Sequence, residues 1–163
     1  MKTKKGDLLN LWYILEGMKH QKQNVKFSYF VAKNKIAIKG EFDALNEAQE
    51  APETFKLYDT KRADLAAEMA DRIPDTEEPM TDNGQYVIKE NKEKFDKQLA
   101  GLKEEFEEVI KQRDEQVEAF KDLLDEEVEF KGHKIKFGDI PDSIEPSIME
   151  VLLLTDLVFE DKE

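Results

Sequence analysis

The longest regular pattern in the sequence lies between residues 91 and 127, and it limits the fold more than any other feature. Apolar residues recur there in steps of four and three residues: Phe95, Leu99, Leu102, Phe106 and Val109. This spacing is typical of a helix face that packs against other helices. Further apolar positions widen the stripe and make it drift around the helix, which favours a multi-helix bundle over a two-stranded coiled coil. We therefore predict a mainly α protein, a helical bundle built on one long coiled-coil-like helix over about 91–127.

Three shorter helices are predicted before it, over about 7–18, 25–49 and 53–72. Asp7 is a suitable N-cap for the first helix, and Pro52 favours a helix start just after it. The apolar positions of each segment fall on one helix face. In the first two helices these positions are Leu8, Leu11, Trp12, Leu15, Met18, Phe27, Phe30, Val31, Ile38, Phe42 and Leu45.

Two short β-hairpins are predicted at about 80–88 and 128–137. The dipeptide Asn83–Gly84 is typical of a type I′ turn, which requires positive φ at both central residues. In the second segment, a type II′ turn at Gly132–His133 would place Phe130 opposite Ile135. That register makes one face of the ribbon apolar and the other charged.

The chain is long enough for one domain, and we predict a single helical domain over 1–163. It comprises basic N-terminal helices (7–49), helix 53–72, the long helix, and a C-terminal hairpin with an apolar helix (128–159). On a helix, the apolar residues of the last segment would point in nearly every direction, so they must be buried on more than one side. Two interpretations remain open: the segment closes the core, or it docks a partner or a second copy. The candidate docking residues are Ile148, Met149, Leu152, Leu153 and Leu157.

Acidic residues and a histidine cluster between residues 125 and 139, where a metal or acid–base site could be sought. His133 is predicted at the tip of the turn, far from Asp125 at the end of the long helix. A catalytic or metal site requires convergent ligands, and the chain has no cysteine. We therefore predict no enzyme activity, no catalytic or metal-ligating residue, and no cofactor.

The net charge is −13, and it is unevenly distributed. Residues 1–40 hold nine lysines and two acidic residues, whereas the remainder carries −20. The balance predicts basic N-terminal helices lying against acidic segments, and the alternative is that the basic end contacts a nucleic acid or an acidic partner. The net charge disfavours nucleic acid and membrane as partners of the whole surface. The N-terminus lacks a signal-peptide cleavage pattern. We expect a protein partner or self-association, a homo-oligomer, and a location in a host cell cytoplasm or virion without secretion.

Several segments are similar to small acidic helical proteins encoded by tailed bacteriophages. The similarity rests on "NVKFSYFVAKNK", "FKLYDTKRADLAAEMAD", "NGQYVIKENKEKFDKQLAGLKEEFEEVI" and "FGDIPDSIEPSIMEVLLLTDLVFED". The resemblance implies a non-enzymatic, phage-type interaction or assembly protein that acts through helix-mediated binding, and it assigns no functional residue. The alternative is an acidic inhibitor or DNA mimic that binds a basic host or defence protein.

Overall fold

A computed structural model describes residues 2–18 and 24–159 and confirms a mainly α fold. The described residues form six α-helices and six short strands. In chain order these elements are β1 (Lys2–Lys4), α1 (Lys5–Gly17), α2 (Val25–Gln49), α3 (Glu53–Met69), β2 (Thr81–Asp82), β3 (Gln85–Tyr86), α4 (Lys92–Glu105), α5 (Glu107–Asp125), β4 (Glu127–Glu129), β5 (Ile135–Lys136), α6 (Pro146–Leu154) and β6 (Val158–Phe159).

The chain divides into two compact units, and the single helical domain over 1–163 stays a prediction. The first unit combines Met1–Glu50 with Glu118–Glu163, and the second is Ala51–Val117. The boundary between 117 and 118 falls inside α5, so the long amphipathic segment contributes to both units.

The core of the first unit forms between α1, α2 and the C-terminal segment. The predicted stripes of α1 and α2 are buried except for Trp12 and Phe42, which are half-buried and pack against the core. α1 begins at Lys5, two residues before the predicted start, so Asp7 lies in its first turn and is not the N-cap. α2 has the predicted bounds, and the side chain of Asn24 caps it by accepting the N–H of Phe27 at 2.8 Å.

The predicted hairpin at 128–137 is not present. β4 pairs antiparallel with β1, with Thr3 opposite Val128, and β5 pairs parallel with β6, with Ile135 opposite Val158. Alternation of apolar and polar residues fixes which face of a strand is buried but does not name the partner strand. The two strands therefore keep apolar residues inward while each pairs with a segment near one end of the chain.

The buried amide of Asn34 forms two hydrogen bonds with the backbone of His133. Asn34 Oδ1 accepts the N–H of His133 at 2.9 Å, and Asn34 Nδ2 donates to the His133 carbonyl at 2.9 Å. The chain passes so close to the core here that a Cβ at Gly132 would overlap the side chain of Leu157. The His133 side chain itself is exposed, as predicted for a residue outside the core.

Basic residues at the N-terminus contact the acidic end of α5. Lys4 Nζ lies 2.8 Å from Asp125, Lys5 Nζ lies 2.9 Å from Glu126, and the Lys5 N–H donates to the Glu126 carbonyl at 3.0 Å. Hydrogen bonds to these carboxylates raise the pKa of Lys4 and the pKa of Lys5 above their ordinary value. The cations also offset the unfavourable position of acidic side chains at a helix C-terminus. The charge asymmetry is thus partly used inside the first unit.

In the second unit, α3 packs against α4, and the aromatic rings of Tyr58 and Phe106 lie 5.6 Å apart between centroids. The predicted ribbon at 80–88 is confirmed: Asn83 and Gly84 have φ of 49° and 78°, the signs that a type I′ turn requires. α3 ends at Met69 and not at the predicted residue 72. The backbone of Asp71 instead pairs with Met80 and Val87, which extends the ribbon.

The long helix predicted over 91–127 is interrupted. α4 ends at Glu105 and α5 starts at Glu107, while Phe106 leaves the helical region with φ −110° and ψ 17°. The Phe106 N–H still donates to the Leu102 carbonyl at 3.2 Å, so the break is local. Helical periodicity continues across position 106, which is why the sequence pattern did not reveal the interruption.

The C-terminal helix is shorter than its apolar run. α6 ends at Leu154, and Asp156 adopts a left-handed conformation with φ 50°. The Leu157 N–H donates to the Leu152 carbonyl at 3.0 Å, which is the six-to-one hydrogen bond of a Schellman cap. This cap directs the chain into β6 and buries Leu157, so the prediction of a helix continuing to residue 159 is wrong.

Candidate protein-binding surface

The solvent-facing side of α2 carries a second apolar stripe, separate from the side that packs in the core. Val25, Tyr29 and Ile36 are 85%, 53% and 74% exposed, and Ala32 lies exposed between the last two. These residues follow one another in steps of four, three and four, which places them on one helix face. We refer to Val25, Tyr29, Ala32 and Ile36 as the α2 stripe.

The two apolar faces of α2 lie on opposite sides of the helix. At 100° per residue, buried Phe27, Asn34 and Ile38 point away from the α2 stripe. Ile36 and Ile38 show the contrast most clearly, since the second isoleucine is only 1% exposed. A helix that is apolar on two opposite faces has one face more than its own core requires.

A pocket of about 400 Å³ borders the α2 stripe on the side of α1. Its lining includes Trp12, Val31, Ala32, Lys35, Ile36 and Lys39. Trp12, Val31, Ala32 and Ile36 make this lining largely apolar, and Ser28 is a further polar member beside the two lysines. Lysines at the edge add positive charge. An apolar concavity with a few polar groups is the usual form of a binding site.

The Trp12 ring contacts two other side chains beside this pocket. Its ring stacks on Phe42 with centroids 4.3 Å apart and planes inclined by 17°, and Lys35 Nζ lies 5.0 Å from its centroid. Lys35 is also ion-paired with Glu16. A ring held by such contacts loses little side-chain entropy when a partner packs against it.

The five docking candidates of the C-terminal segment fall into three different environments. Leu152 and Leu157 are buried in the core, and Ile148 and Met149 are half-buried against it. Leu153 is 52% exposed, with the neighbouring Leu154 at 75%. Of the five, Leu153 is thus the residue with the most free surface for a partner. The docking role of α6 stays a prediction.

The acidic residues and histidine at 125–139 do not converge. Asp125 pairs with Lys4, Asp139 pairs with Lys26 at 2.8 Å, and the His133 ring packs edge-on against Tyr29, with centroids 5.3 Å apart. Across residues 2–18 and 24–159, the structure places no group of three or more His, Asp or Glu side chains where they could hold a metal ion. In the same ranges, none of the helices has the length and apolar character needed to cross a membrane.

The α2 stripe was overlooked in the sequence because the stronger buried pattern runs through the same segment. The spacing of Val25, Tyr29, Ala32 and Ile36 is readable as a second heptad-like series. What the spacing does not reveal is which of two apolar faces the core will cover. Only the position of α1 and the C-terminal segment decides that.

Comparison with known proteins provides no relative: no protein-family model, curated protein or solved structure matches this chain.

Proposed function

We propose that this chain is a non-enzymatic, phage-type interaction or assembly protein that binds a protein partner through its helices. The α2 stripe and the adjoining pocket form the docking surface. The observation that carries the proposal is the exposure of an ordered apolar series on α2, directly opposite the face that the core covers.

Exposed apolar side chains are common when scattered, but a continuous series beside a pocket indicates an interaction site. Three large side chains and one small one repeat at the spacing that helices use to pack against each other. A partner that covers Ile36 and Tyr29 would remove apolar surface from water without rearranging the core. The binding mode is therefore a helix laid along α2.

Capture of partners from a bacterial extract tests this proposal with two matched variants of the full chain. Ile36→Glu places a charge in the α2 stripe, whereas Leu154→Glu makes the same change at a leucine of equal exposure on α6. We expect the first variant to lose the captured partner and the second to retain it. Capture that survives Ile36→Glu and is lost with Leu154→Glu would move the docking surface to α6.

An acidic inhibitor or DNA mimic is the second candidate function, and the charge of α5 favours it. Residues 107–125 hold seven acidic and three basic residues. A surface with this excess of carboxylates attracts a basic protein at long range. Such binding is screened by salt, because the Debye length falls to about 3 Å at 1 M.

Salt dependence separates the two candidates. Docking on the α2 stripe depends mainly on apolar contact, so the captured partner should remain bound at high salt and be lost with Ile36→Glu. Binding through α5 should collapse at high salt and be unaffected by Ile36→Glu. Replacing Glu115 and Glu118 of α5 by Gln would weaken only the second kind of binding.

A further inference from the structure

Lysines border the α2 stripe along both sides. Residues 25–40 contain four lysines and no acidic residue. At helical spacing, Lys26 and Lys33 lie along one side of the stripe, and Lys35 and Lys39 lie along the other. In a pair of packed helices these flanking positions face the flanking positions of the partner helix.

The existing contacts of Lys26, Lys33 and Lys39 leave room for a partner's carboxylates, whereas Lys35 is largely buried and ion-paired with Glu16. Lys26 pairs with Asp139 at 2.8 Å and Lys39 with Asp43 at 2.6 Å, both at the surface. Exposed pairs of this kind contribute little to stability, because solvent screens them. The ammonium group of Lys33 lies 5.6 Å from the centroid of the Tyr29 ring. New carboxylates could therefore join these lysines at small cost.

The same lysines disfavour symmetric pairing of α2 with α2 of a second copy. In such a pair, lysines would meet lysines at the flanking positions, and like charges there are used by helical proteins to reject a partner. An occupant with carboxylates at those positions meets no such repulsion. The charge pattern thus selects a partner of opposite sign.

The length of the stripe sets the size of the occupant. From Val25 to Ile36 the helix rises about 17 Å at 1.5 Å per residue. An amphipathic helix of about three turns would cover this length. The small side chain of Ala32 and the adjoining pocket leave space for one large apolar side chain of that helix, packed beside Trp12.

We infer that the α2 stripe binds an acidic amphipathic helix, with apolar residues at alternating steps of three and four and Glu or Asp at the flanking positions. This inference rests on the proposed docking role of α2 and adds the chemistry of the partner. Apolar contact with Tyr29 and Ile36 supplies affinity, and carboxylates opposite Lys33 and Lys39 supply specificity.

A synthetic helix of about three heptads provides the probe, with leucine at the a and d positions and glutamate at e and g. Its twin carries lysine at e and g, and both peptides lack tryptophan. Trp12 is the single tryptophan of the chain and lines the pocket, so its fluorescence reports occupancy in the full chain. We expect the acidic peptide to shift the Trp12 emission to shorter wavelength with saturable binding, and the basic twin to leave it unchanged.

Two variants test whether binding occurs at the stripe and through charge. Ile36→Glu should remove the response to the acidic peptide. Lys33→Glu should lower the preference for the acidic peptide over the basic twin by at least about fivefold, since it replaces an attraction with a repulsion. Circular dichroism of both variants checks that they remain folded.

Three outcomes would overturn the inference. The first is that the acidic peptide does not bind, and the second is that the basic twin binds equally well. If Ile36→Glu still abolishes partner capture in either case, the α2 surface docks a partner of other chemistry. Alternatively, light scattering shows a dimer of the full chain that Ile36→Glu converts to a monomer, which makes a second copy the occupant. Failure of the docking role itself is seen separately, as capture that is unaffected by Ile36→Glu.

Discussion

Asn34 is a fully buried amide on a helix face that is otherwise apolar. Its cost of desolvation is offset because its amide nitrogen donates to two backbone carbonyls and its oxygen accepts the N–H of His133. These contacts fix the 130–134 segment against α2 without a β-ladder. A polar residue inside a helix stripe would ordinarily be read as an interruption; here it positions a loop.

Asn34→Leu should destabilise the protein by about 2–4 kcal/mol, because it leaves the N–H and carbonyl of His133 without their partner. Asn10→Ala provides the control, since Asn10 is exposed on α1 and alanine is the better helix former. Urea denaturation followed by circular dichroism measures both changes. A loss for Asn34→Leu no larger than that for Asn10→Ala would contradict the positioning role.

The ion pairs of Lys4 and Lys5 lead us to expect a loss of folding stability at alkaline pH. Their hydrogen bonds to Asp125 and Glu126 raise both pKa values above 10.5 in the folded state. The stabilisation is therefore fully present below pH 10.5 and is lost as the pH rises through the raised values. The wild type should be more stable than the Lys4→Gln, Lys5→Gln double variant at about pH 8. This difference in stability should shrink at about pH 11. Urea denaturation at both pH values checks it; a difference that stays constant or grows would be inconsistent with the ion pairs.

A buried aromatic ring lies where α4 and α5 meet in the second unit. Phe106 lies at the interruption between the two helices, buried next to Tyr58. Phe106→Ala should cost roughly 3–5 kcal/mol through loss of apolar contact and creation of a cavity. Glu107→Ala, at the adjacent exposed position, should stay within about 0.5 kcal/mol of wild type. Equal effects in thermal or urea unfolding would contradict this assignment of the helix face.

Two leucines of the C-terminal apolar run, Leu153 in α6 and Leu157 just after it, lie in different environments. Leu157→Glu places a charge in the core and should destabilise the first unit strongly, whereas Leu153→Glu at a 52% exposed position should fold normally. Light scattering of the folded Leu153→Glu variant then tests self-association through α6. A larger mass in the wild type that this variant loses would support docking, and an unchanged mass would remove Leu153 from it.

Local sequence patterns predicted much of the fold. The bounds of α2 and the type I′ turn at Asn83–Gly84 follow from short-range chemistry, namely helix periodicity and the need for positive φ. The strands that pair with β4 and β5 do not follow from short-range chemistry, because they lie far away in the sequence, near the two chain ends. The end of α6 escaped prediction because Asp156, and not glycine, occupies the left-handed cap position.

In the molecule as a whole, the two apolar faces of α2 have different uses. One face joins the core of the first unit, and the other remains free beside a pocket lined by Trp12. The excess of acidic residues beyond residue 40 and the lysines around the α2 stripe then have separate roles. Lys4 and Lys5 pair with the acidic end of α5, and the lysines beside the α2 stripe border a surface suited to an acidic partner.

Ile36 and Ile38 allow the most direct test, since they are the same residue type on the same helix at 74% and 1% exposure. The measurement is the free energy of unfolding of Ile36→Ala and Ile38→Ala in urea. We expect Ile38→Ala to cost about 2–5 kcal/mol, as for a filled core position, and Ile36→Ala to stay within about 0.5 kcal/mol of wild type. A loss of several kcal/mol for Ile36→Ala would show that the protein itself covers this face, and would contradict a free docking surface on α2.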